Sequence, residues 1–95
     1  MLIPLSEFPK KAKLVKKDER YEVYDIAMEH LVASMTVLHA SKATTGHSHS
    51  DVEEVYYFTQ GEGDILLGNK KLKVGAKDVI LIPKATFHRV DNTGS

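Results

Sequence analysis

The segment GHSHSDVEEVYYFTQGEG, Gly46 to Gly63, holds two of the five histidines of the chain, two adjacent glutamates and a run of aromatic residues. Side chains two residues apart on a strand project to the same face, so His47 and His49 can point at a common site. By itself, a histidine pair in a loop with glycine and serine is more typical of polar surface than of a metal site. The residues around the pair therefore decide its interpretation.

A polar bend, Ser50 to Glu53, follows the histidine pair and leads into an alternating strand. Alternation puts one set of side chains on each face of this strand: Glu54, Tyr56 and Phe58 on one, and Glu53, Val55 and Tyr57 on the other. One of the two glutamates can therefore join the histidines. A carboxylate beside neutral imidazoles suits iron, manganese, nickel, copper or zinc better than calcium or magnesium. The expected third nitrogen is that of His88, which follows a proline turn and begins a strand-like run.

Period-two patterns also occupy the rest of the chain, and helical periodicity is hard to find. RYEVYDIAM (20–28) and LVASMTVLHA (31–40) are predicted strands. Beyond the aromatic strand come DILL, the two-residue turn Gly68–Asn69, KKLKV and DVILIP, which together predict an antiparallel meander. Closely spaced turns favour a sandwich or small barrel, because closure removes exposed strand edges. The expected fold class is all-β, as a small antiparallel β-barrel.

Length and composition narrow the possible functions. A chain of 95 residues predicts one domain, 1–95, and equal numbers of basic and acidic side chains (13 each) give no reason to expect nucleic acid or membrane partners. Cysteine is absent, which excludes disulfides and thiolate chemistry. No apolar run reaches the roughly 20 residues of a membrane span and no secretory signal is recognisable, so a cytoplasmic protein is expected.

The order and spacing of the site residues resemble the two sequence motifs of the cupin superfamily, in its small single-domain form with a conserved barrel. The first motif, G-x5-H-x-H-x(3,4)-E-x6-G, is matched by His47, His49, Glu54 and Gly61. The second, G-x5-P-x-G-x2-H-x3-N, is matched by Pro83, His88 and Asn92. Spacing selects Glu54 over Glu53, because only Glu54 leaves six residues before the closing glycine.

Three glycine positions of these motifs hold other residues, namely Ser41, Lys77 and Ala85. All three are turn positions and none is a ligand position. Gly46 and Gly75 lie nearby and could supply the missing flexibility after a short shift along the chain.

The resemblance implies a jelly-roll barrel that holds one divalent transition metal ion through His47, His49, Glu54 and His88. An incompletely filled coordination sphere is typical of a catalytic metal and not of a structural one. Glu54 and Tyr56 are the expected catalytic residues. Tyr56, Phe58 and Val90 are expected either to line the cavity or simply to fill the barrel.

Two function classes fit this site. The first is a metal-dependent enzyme on a small oxygenated molecule, either an oxygenase or a sugar isomerase. The second is a binding or sensor module that holds a sugar or another metabolite without catalysis. Cupins resemble one another in often forming homodimers, and a homodimer is expected here. Few residues follow Asn92, so the segment from Lys11 to Ile26 is expected to cover the exposed barrel edge within the chain or across the dimer.

Overall fold

The computed structural model describes residues 1–94, and their regular secondary structure is almost entirely β-strand. The elements are a 3-10 turn at Leu5–Glu7, helix α1 (Phe8–Lys11) and strands β1 (Lys13–Lys17), β2 (Tyr21–Ala27), β3 (Val32–Leu38), β4 (Glu54–Tyr57), β5 (Glu62–Leu67), β6 (Lys70–Gly75), β7 (Val79–Ile82) and β8 (His88–Asn92). Every strand pair is antiparallel. The all-β prediction is confirmed; the two short helical elements at the start of the chain were not predicted. Pro9 sits in the first turn of α1, where a missing N–H costs little.

Contacts divide the chain into two compact units, Met1–His39 and the residues from Ala40 onward. The first unit is a three-stranded sheet in the order β1-β2-β3. All five residues of its edge strand β1 are exposed, as expected for a lysine-rich edge that discourages further pairing. In the turn before β2, Arg20 binds Asp18 at 2.8 Å and lowers the pKa of that carboxyl to about 2.

The second unit contains two sheets, one of β4 and β7 and one in the order β6-β5-β8. The predicted meander is therefore wrong in part. Within the second unit, only β5 and β6 form a hairpin of sequential strands, and its turn is the predicted Gly68–Asn69 pair, with a φ of +63° at Gly68. The chain instead crosses from one sheet to the other after β4, after β6 and after β7. Such crossing is usual when two sheets share one core.

The core of the second unit lies between the inner faces of its two sheets. Ile65, Val74 and Ile82 are almost completely buried. Partly buried side chains pack against them: Tyr56, Phe58, Leu67, Ile80 and Val90. The predicted lining residues of the cavity therefore also serve as core. The alternation predicted for β4 is confirmed, since Glu54 and Tyr56 are the less exposed residues of that strand.

Candidate metal centre

The backbone brings the two histidine-bearing segments side by side. The segment before His47 runs antiparallel to β8, and the amide of His47 donates to the carbonyl of His88 at 3.1 Å while the amide of His88 donates back at 2.9 Å. The predicted regular strand under the histidine pair is not present. Isolated bridges at Ala43 and His47 take its place, and they are enough to set His47 beside His88.

The turn before β8 forms hydrogen bonds with two of the histidines. The amide of Ala85 donates to the carbonyl oxygen of His49. Nδ1 of His88 lies 3.1 Å from the carbonyl oxygen of Thr86, which can only accept, so Nδ1 carries the proton. In neutral His88 the Nε2 atom therefore presents a lone pair toward the site. A backbone partner of this kind is common behind metal-ligating histidines and fixes their ring orientation.

The structure brings together all four side chains predicted as ligands. Oε1 of Glu54 lies 3.2 Å from Nε2 of His49, 3.4 Å from Nε2 of His88 and 3.9 Å from Nε2 of His47. The Nε2 atoms of His47 and His88 are 3.0 Å apart. Candidate ligand atoms of His47, His49 and Glu54 all lie within 4.8 Å of one another.

These separations fit a bound cation. At metal–ligand distances of about 2.0–2.2 Å, ligand atoms on adjacent coordination positions lie about 3.0–3.5 Å apart. Three of the four separations above fall in that range. Oε1 of Glu54 is also shielded from solvent and accepts no hydrogen bond within residues 1–94, because none of its ring contacts has hydrogen-bond geometry. A buried carboxylate oxygen without a donor is costly unless a positive charge binds it.

The four side chains of the cluster differ in their exposure to solvent. His88 is only 2% exposed, whereas the His47 and His49 side chains are about half exposed and form the open side of the cluster. Partial burial, reinforced by the neighbouring imidazoles, lowers the pKa of His47 although Glu54 opposes the shift. The lowered pKa favours the neutral imidazole, which is the form that binds metals.

Tyr56 closes one wall of the cluster. Its ring stands edge-on to His88 at 5.6 Å between centroids and packs similarly against Phe58 at 6.4 Å. Burial, with a smaller contribution from the Glu54 carboxylate, raises the pKa of Tyr56 to about 12. The phenol therefore remains a hydrogen-bond donor at neutral pH.

The three positions where the sequence departs from the motif glycines all keep a glycine-like backbone. The φ angles are +62° at Ser41, +74° at Lys77 and +62° at Ala85, all in the left-handed region. The expectation that Gly46 and Gly75 take over is wrong. Gly46 does have a φ of +88°, but it adds to the left-handed residues and replaces none of them, and Gly75 has no positive φ.

The other two histidines, His30 and His39, lie in surroundings of their own. His30 is exposed and lies 3.4 Å from Glu29. His39 lies 3.3 Å from Glu22, which also accepts a 2.6 Å hydrogen bond from Tyr24. The hydrogen bond from Tyr24 is the main cause of the lowered pKa of Glu22. These contacts are those of a surface network on the first unit.

The role of the Thr86 carbonyl was not foreseen from the sequence, because a backbone acceptor has no residue signature. The proline turn just before His88 was the available signal, since it shows that the chain reverses close to a ligand.

No helix within residues 1–94 is long and apolar enough to cross a membrane.

Comparison with known proteins relates this site to a family. Residues 34–95 match the model of the Cupin domain. A glucose-6-phosphate isomerase of Thermococcus kodakarensis is 34% identical over 101 aligned positions, covering 87% of this chain and 53% of the relative. An uncharacterized protein of Methanocaldococcus jannaschii is 41% identical over 49 residues, covering 52% of this chain and 39% of the relative. The chain thus spans about half the length, or less, of these two relatives.

The fold has a close counterpart among solved structures. A predicted oxalate decarboxylase from Thermotoga maritima superposes with a TM-score of 0.82 at 18% identity, covering 100% of this chain and 90% of that chain. The family model covers most of the chain and includes every residue of the histidine and glutamate cluster. Sequence, fold and site therefore agree that the chain belongs to the cupin family.

Proposed function

We propose that this chain is a metal-dependent isomerase that interconverts an aldose and a ketose, with phosphorylated sugars as the substrate class. The observation that carries the proposal is Oε1 of Glu54, a buried carboxylate oxygen without a hydrogen bond among the described residues that faces three imidazole nitrogens. A divalent cation would satisfy this oxygen and the imidazole lone pairs together.

His47, His49, Glu54 and His88 remain the proposed ligands of one divalent transition metal ion. When bound, such an ion supplies Lewis-acid polarisation of the carbonyl and hydroxyl oxygens of the sugar. The half-exposed side of the cluster, at His47 and His49, gives a sugar access to the site.

Glu54 and Tyr56 are the proposed catalytic residues. Conversion of an aldose to a ketose moves one proton from C2 to C1 and another between the oxygens on those carbons, with no change in composition. A carboxylate has two oxygens, so while one faces the imidazoles the other can take the C2 proton and return it to C1. The protonated phenol of Tyr56 donates a hydrogen bond to the sugar oxygen that gains negative charge.

The substrate class is supported by the relative from Thermococcus kodakarensis, whose name states an isomerase of glucose 6-phosphate. Its similarity extends over most of this chain. Because the chain spans only about half of that relative, the activity of the whole relative is transferred here as a proposal.

The same proposal treats residues 1–95 as a single cytoplasmic cupin domain closed into a jelly-roll barrel. The likeness to the Thermotoga maritima structure supports this architecture, because it extends over the whole chain.

The direct test incubates protein loaded with manganese, zinc or iron(II) with fructose 6-phosphate and measures glucose 6-phosphate through a coupled dehydrogenase. In deuterated water, the proposed proton transfer should place deuterium at C2 of the product, which NMR detects. Glu54→Gln should abolish turnover, and Tyr56→Phe should lower kcat about 100-fold through loss of a hydrogen-bond donor. Glu53→Gln, the same change on the opposite face of β4, should leave turnover intact.

Other outcomes would identify a different function. Oxygen uptake that requires iron and accompanies product formation would identify an oxygenase. Stabilisation of the fold by a sugar phosphate that is recovered unaltered with every metal would identify a binding module without catalysis. Either result contradicts the isomerase proposal.

A further inference from the structure

The outer face of the β6-β5-β8 sheet contains a cavity of about 200 Å³. Ile65 and Val90 pack in the core of the second unit, so alternation along β5 and β8 turns their neighbours outward. Arg89 directly follows His88 and therefore lies on the face of β8 opposite to the cluster. The cavity is thus a separate site. The residues that line it are Asp64, Leu66, Lys71, Arg89 and Asp91.

Strand pairing arranges the charges of this cavity in two rows. Leu66 lies between its cross-strand partners, Lys71 on β6 and Arg89 on β8, so a cation lies on either side of an apolar floor. In the next row, Asp64 and Asp91 lie directly opposite each other. Like charges in this arrangement repel each other. A positive charge between the two carboxylates would therefore be stabilised.

Both cations of the cavity keep hydrogen-bond donors that no residue within 1–94 uses. Nζ of Lys71 lies 3.6 Å from Oδ2 of Asp64, which is an ion pair but exceeds hydrogen-bond distance. Arg89 donates only through Nε, to Oδ1 of Asp91 at 3.0 Å. The Lys71 ammonium and the two terminal amino groups of Arg89 can therefore bind an anionic group between them. A guanidinium can hold a carboxylate with two hydrogen bonds at once.

The carboxylates of the cavity have acceptor oxygens to offer in turn. The Asp64 side chain is only 20% exposed, yet it accepts no hydrogen bond within the described part of the chain. Asp91 accepts from Arg89 through one oxygen, which leaves its other oxygen for a second donor. A carboxylate largely withdrawn from water without a hydrogen bond is costly, and a donor from a bound molecule offsets that cost.

We infer that this cavity binds a small zwitterion, with free α-amino acids as the ligand class. The ligand carboxylate lies between Lys71 and Arg89, its ammonium group between Asp64 and Asp91, and its side chain over Leu66. A simple anion would also meet the two carboxylates, and a simple cation would also meet the two basic groups. Only a ligand with both charges is complementary to the whole cavity.

The size of the cavity fits the smaller members of this class. At about 30 Å³ for each water molecule of liquid, the cavity holds the equivalent of roughly six or seven waters, which is enough for an amino acid such as alanine. The inference does not rest on the metal or on the isomerase activity, because the cavity and the cluster lie on opposite faces of one sheet.

The test records two-dimensional ¹H–¹⁵N NMR spectra at neutral pH during titration with L-alanine, N-acetyl-L-alanine or L-alaninamide. All three probes contain the alanine skeleton, but the second lacks the ammonium group and the third lacks the carboxylate. L-alanine should shift the amide signals of Leu66, Lys71 and Arg89 saturably. Either derivative at the same concentration should shift them much less.

Variants of the lining residues locate the binding. Arg89→Gln should weaken L-alanine binding about 10-fold or more, because it removes a charged donor to the ligand carboxylate. Asp64→Asn should weaken it similarly at the ammonium group. Lys73→Gln is the matched control: Lys73 is the cross-strand partner of Asp64 but does not line the cavity, so binding should be unchanged. If Arg89→Gln does not fold, Lys71→Gln takes its place, because the Lys71 side chain is 68% exposed.

Three results would overturn the inference. Absence of saturable shifts with L-alanine would show that the cavity is ordinary hydrated surface. Equal shifts with N-acetyl-L-alanine or L-alaninamide would show that a single charge is enough for binding. Loss of binding in Lys73→Gln as large as in Arg89→Gln would show a general attraction by surface charge and no defined site.

Discussion

The ligand positions and the turn positions of the cupin pattern behave differently in this chain. Every ligand position holds the residue type of the pattern. The four contacts between Oε1 of Glu54 and the histidine Nε2 atoms, and between the Nε2 atoms of His47 and His88, measure 3.0–3.9 Å. Three glycine positions hold Ser41, Lys77 and Ala85, yet the backbone keeps the left-handed conformation at each. The site thus depends on side-chain chemistry, whereas the turns depend only on the path of the backbone.

A left-handed conformation costs a residue other than glycine about 1–2 kcal/mol. Backbone hydrogen bonds offset this cost at all three turns. The amide of Ser41 donates to the carbonyl of Asn92 at 3.0 Å, that of Lys77 donates to Phe58 at 2.6 Å, and that of Ala85 donates to His49. A departure from a motif glycine therefore does not imply a different turn when neighbouring strands already fix the backbone.

The largest effect is expected when a residue at a ligand position is replaced. Glu54→Gln should lower the affinity for a divalent metal more than about 100-fold, because loss of a direct ligand should exceed the 10- to 100-fold seen for residues behind the ligands. Glu53→Gln makes the same change one residue away on the opposite face and should leave affinity unchanged. Calorimetric titration measures the metal affinity of both variants, and equal affinities would show that Glu54 is not a ligand.

The next largest effect is expected at Gly46, where the turn requires glycine for two reasons. A Cβ there would lie 2.6 Å from the Phe87 ring, and φ is +88°. Gly46→Ala should therefore lower the free energy of unfolding by about 2 kcal/mol or more. At Gly61, where φ is +85° and no atom lies within 4 Å of the added Cβ, Ala should cost about 1 kcal/mol. Urea denaturation compares the two variants, and a smaller loss for Gly46→Ala would contradict the steric part of this account.

A smaller effect of opposite sign is expected when a motif glycine is restored. Ala85→Gly should raise the free energy of unfolding by up to about 1 kcal/mol, because glycine relieves the left-handed strain, and metal affinity should not change. Ala33→Gly is the matched control: Ala33 lies in β3 without a positive φ, so the same change should destabilise by about 0.5–1 kcal/mol. Destabilisation of similar size at both positions would show that Ala85 carries no strain.

An effect that is absent at neutral pH is expected at Tyr56, beside the ligands. An unfolded tyrosine loses its proton near pH 10, whereas the pKa of folded Tyr56 is about 12. Stability from this group is therefore complete below about pH 10 and is lost as the pH rises toward 12. Tyr56→Phe should remove this part of the alkaline decline, and Tyr57→Phe should retain it. Unfolding curves between pH 9 and about 12 measure it; identical declines in wild type and Tyr56→Phe would refute the assignment.

The features predicted correctly from the sequence are those that local patterns encode. Alternation located β2, β3 and the inward face of β4, and motif spacing selected Glu54 over Glu53. Chemistry-bearing side chains carry their own signature, so the four residues of the cluster could be identified without coordinates. Their metal binding and catalytic roles remain predictions.

The features that were not predicted depend on contacts between distant parts of the chain. β4 pairs with β7 and not with its sequence neighbour β5, since strand pairing is decided by how two sheets share a core. The bridge that sets His47 beside His88 is a long-range contact of the same kind. The prediction assigned the left-handed conformation to the nearby glycines and not to the motif positions. The residue types of Ser41 and Ala85 do not indicate a positive φ, because the surrounding hydrogen bonds impose it.

The central claim is that three imidazoles and one carboxylate form a single metal site, and titration of metal-free protein with manganese, iron(II) or zinc tests it most directly. The account predicts saturable binding of about one ion per chain, lost in His88→Ala and retained in His30→Ala, which alters an exposed histidine outside the cluster. Affinity should also fall as the pH drops through the histidine range near ~6.5, since protonated imidazole does not bind metal. Absence of saturable binding to the wild type, or equal binding by the wild type and His88→Ala, would contradict the account.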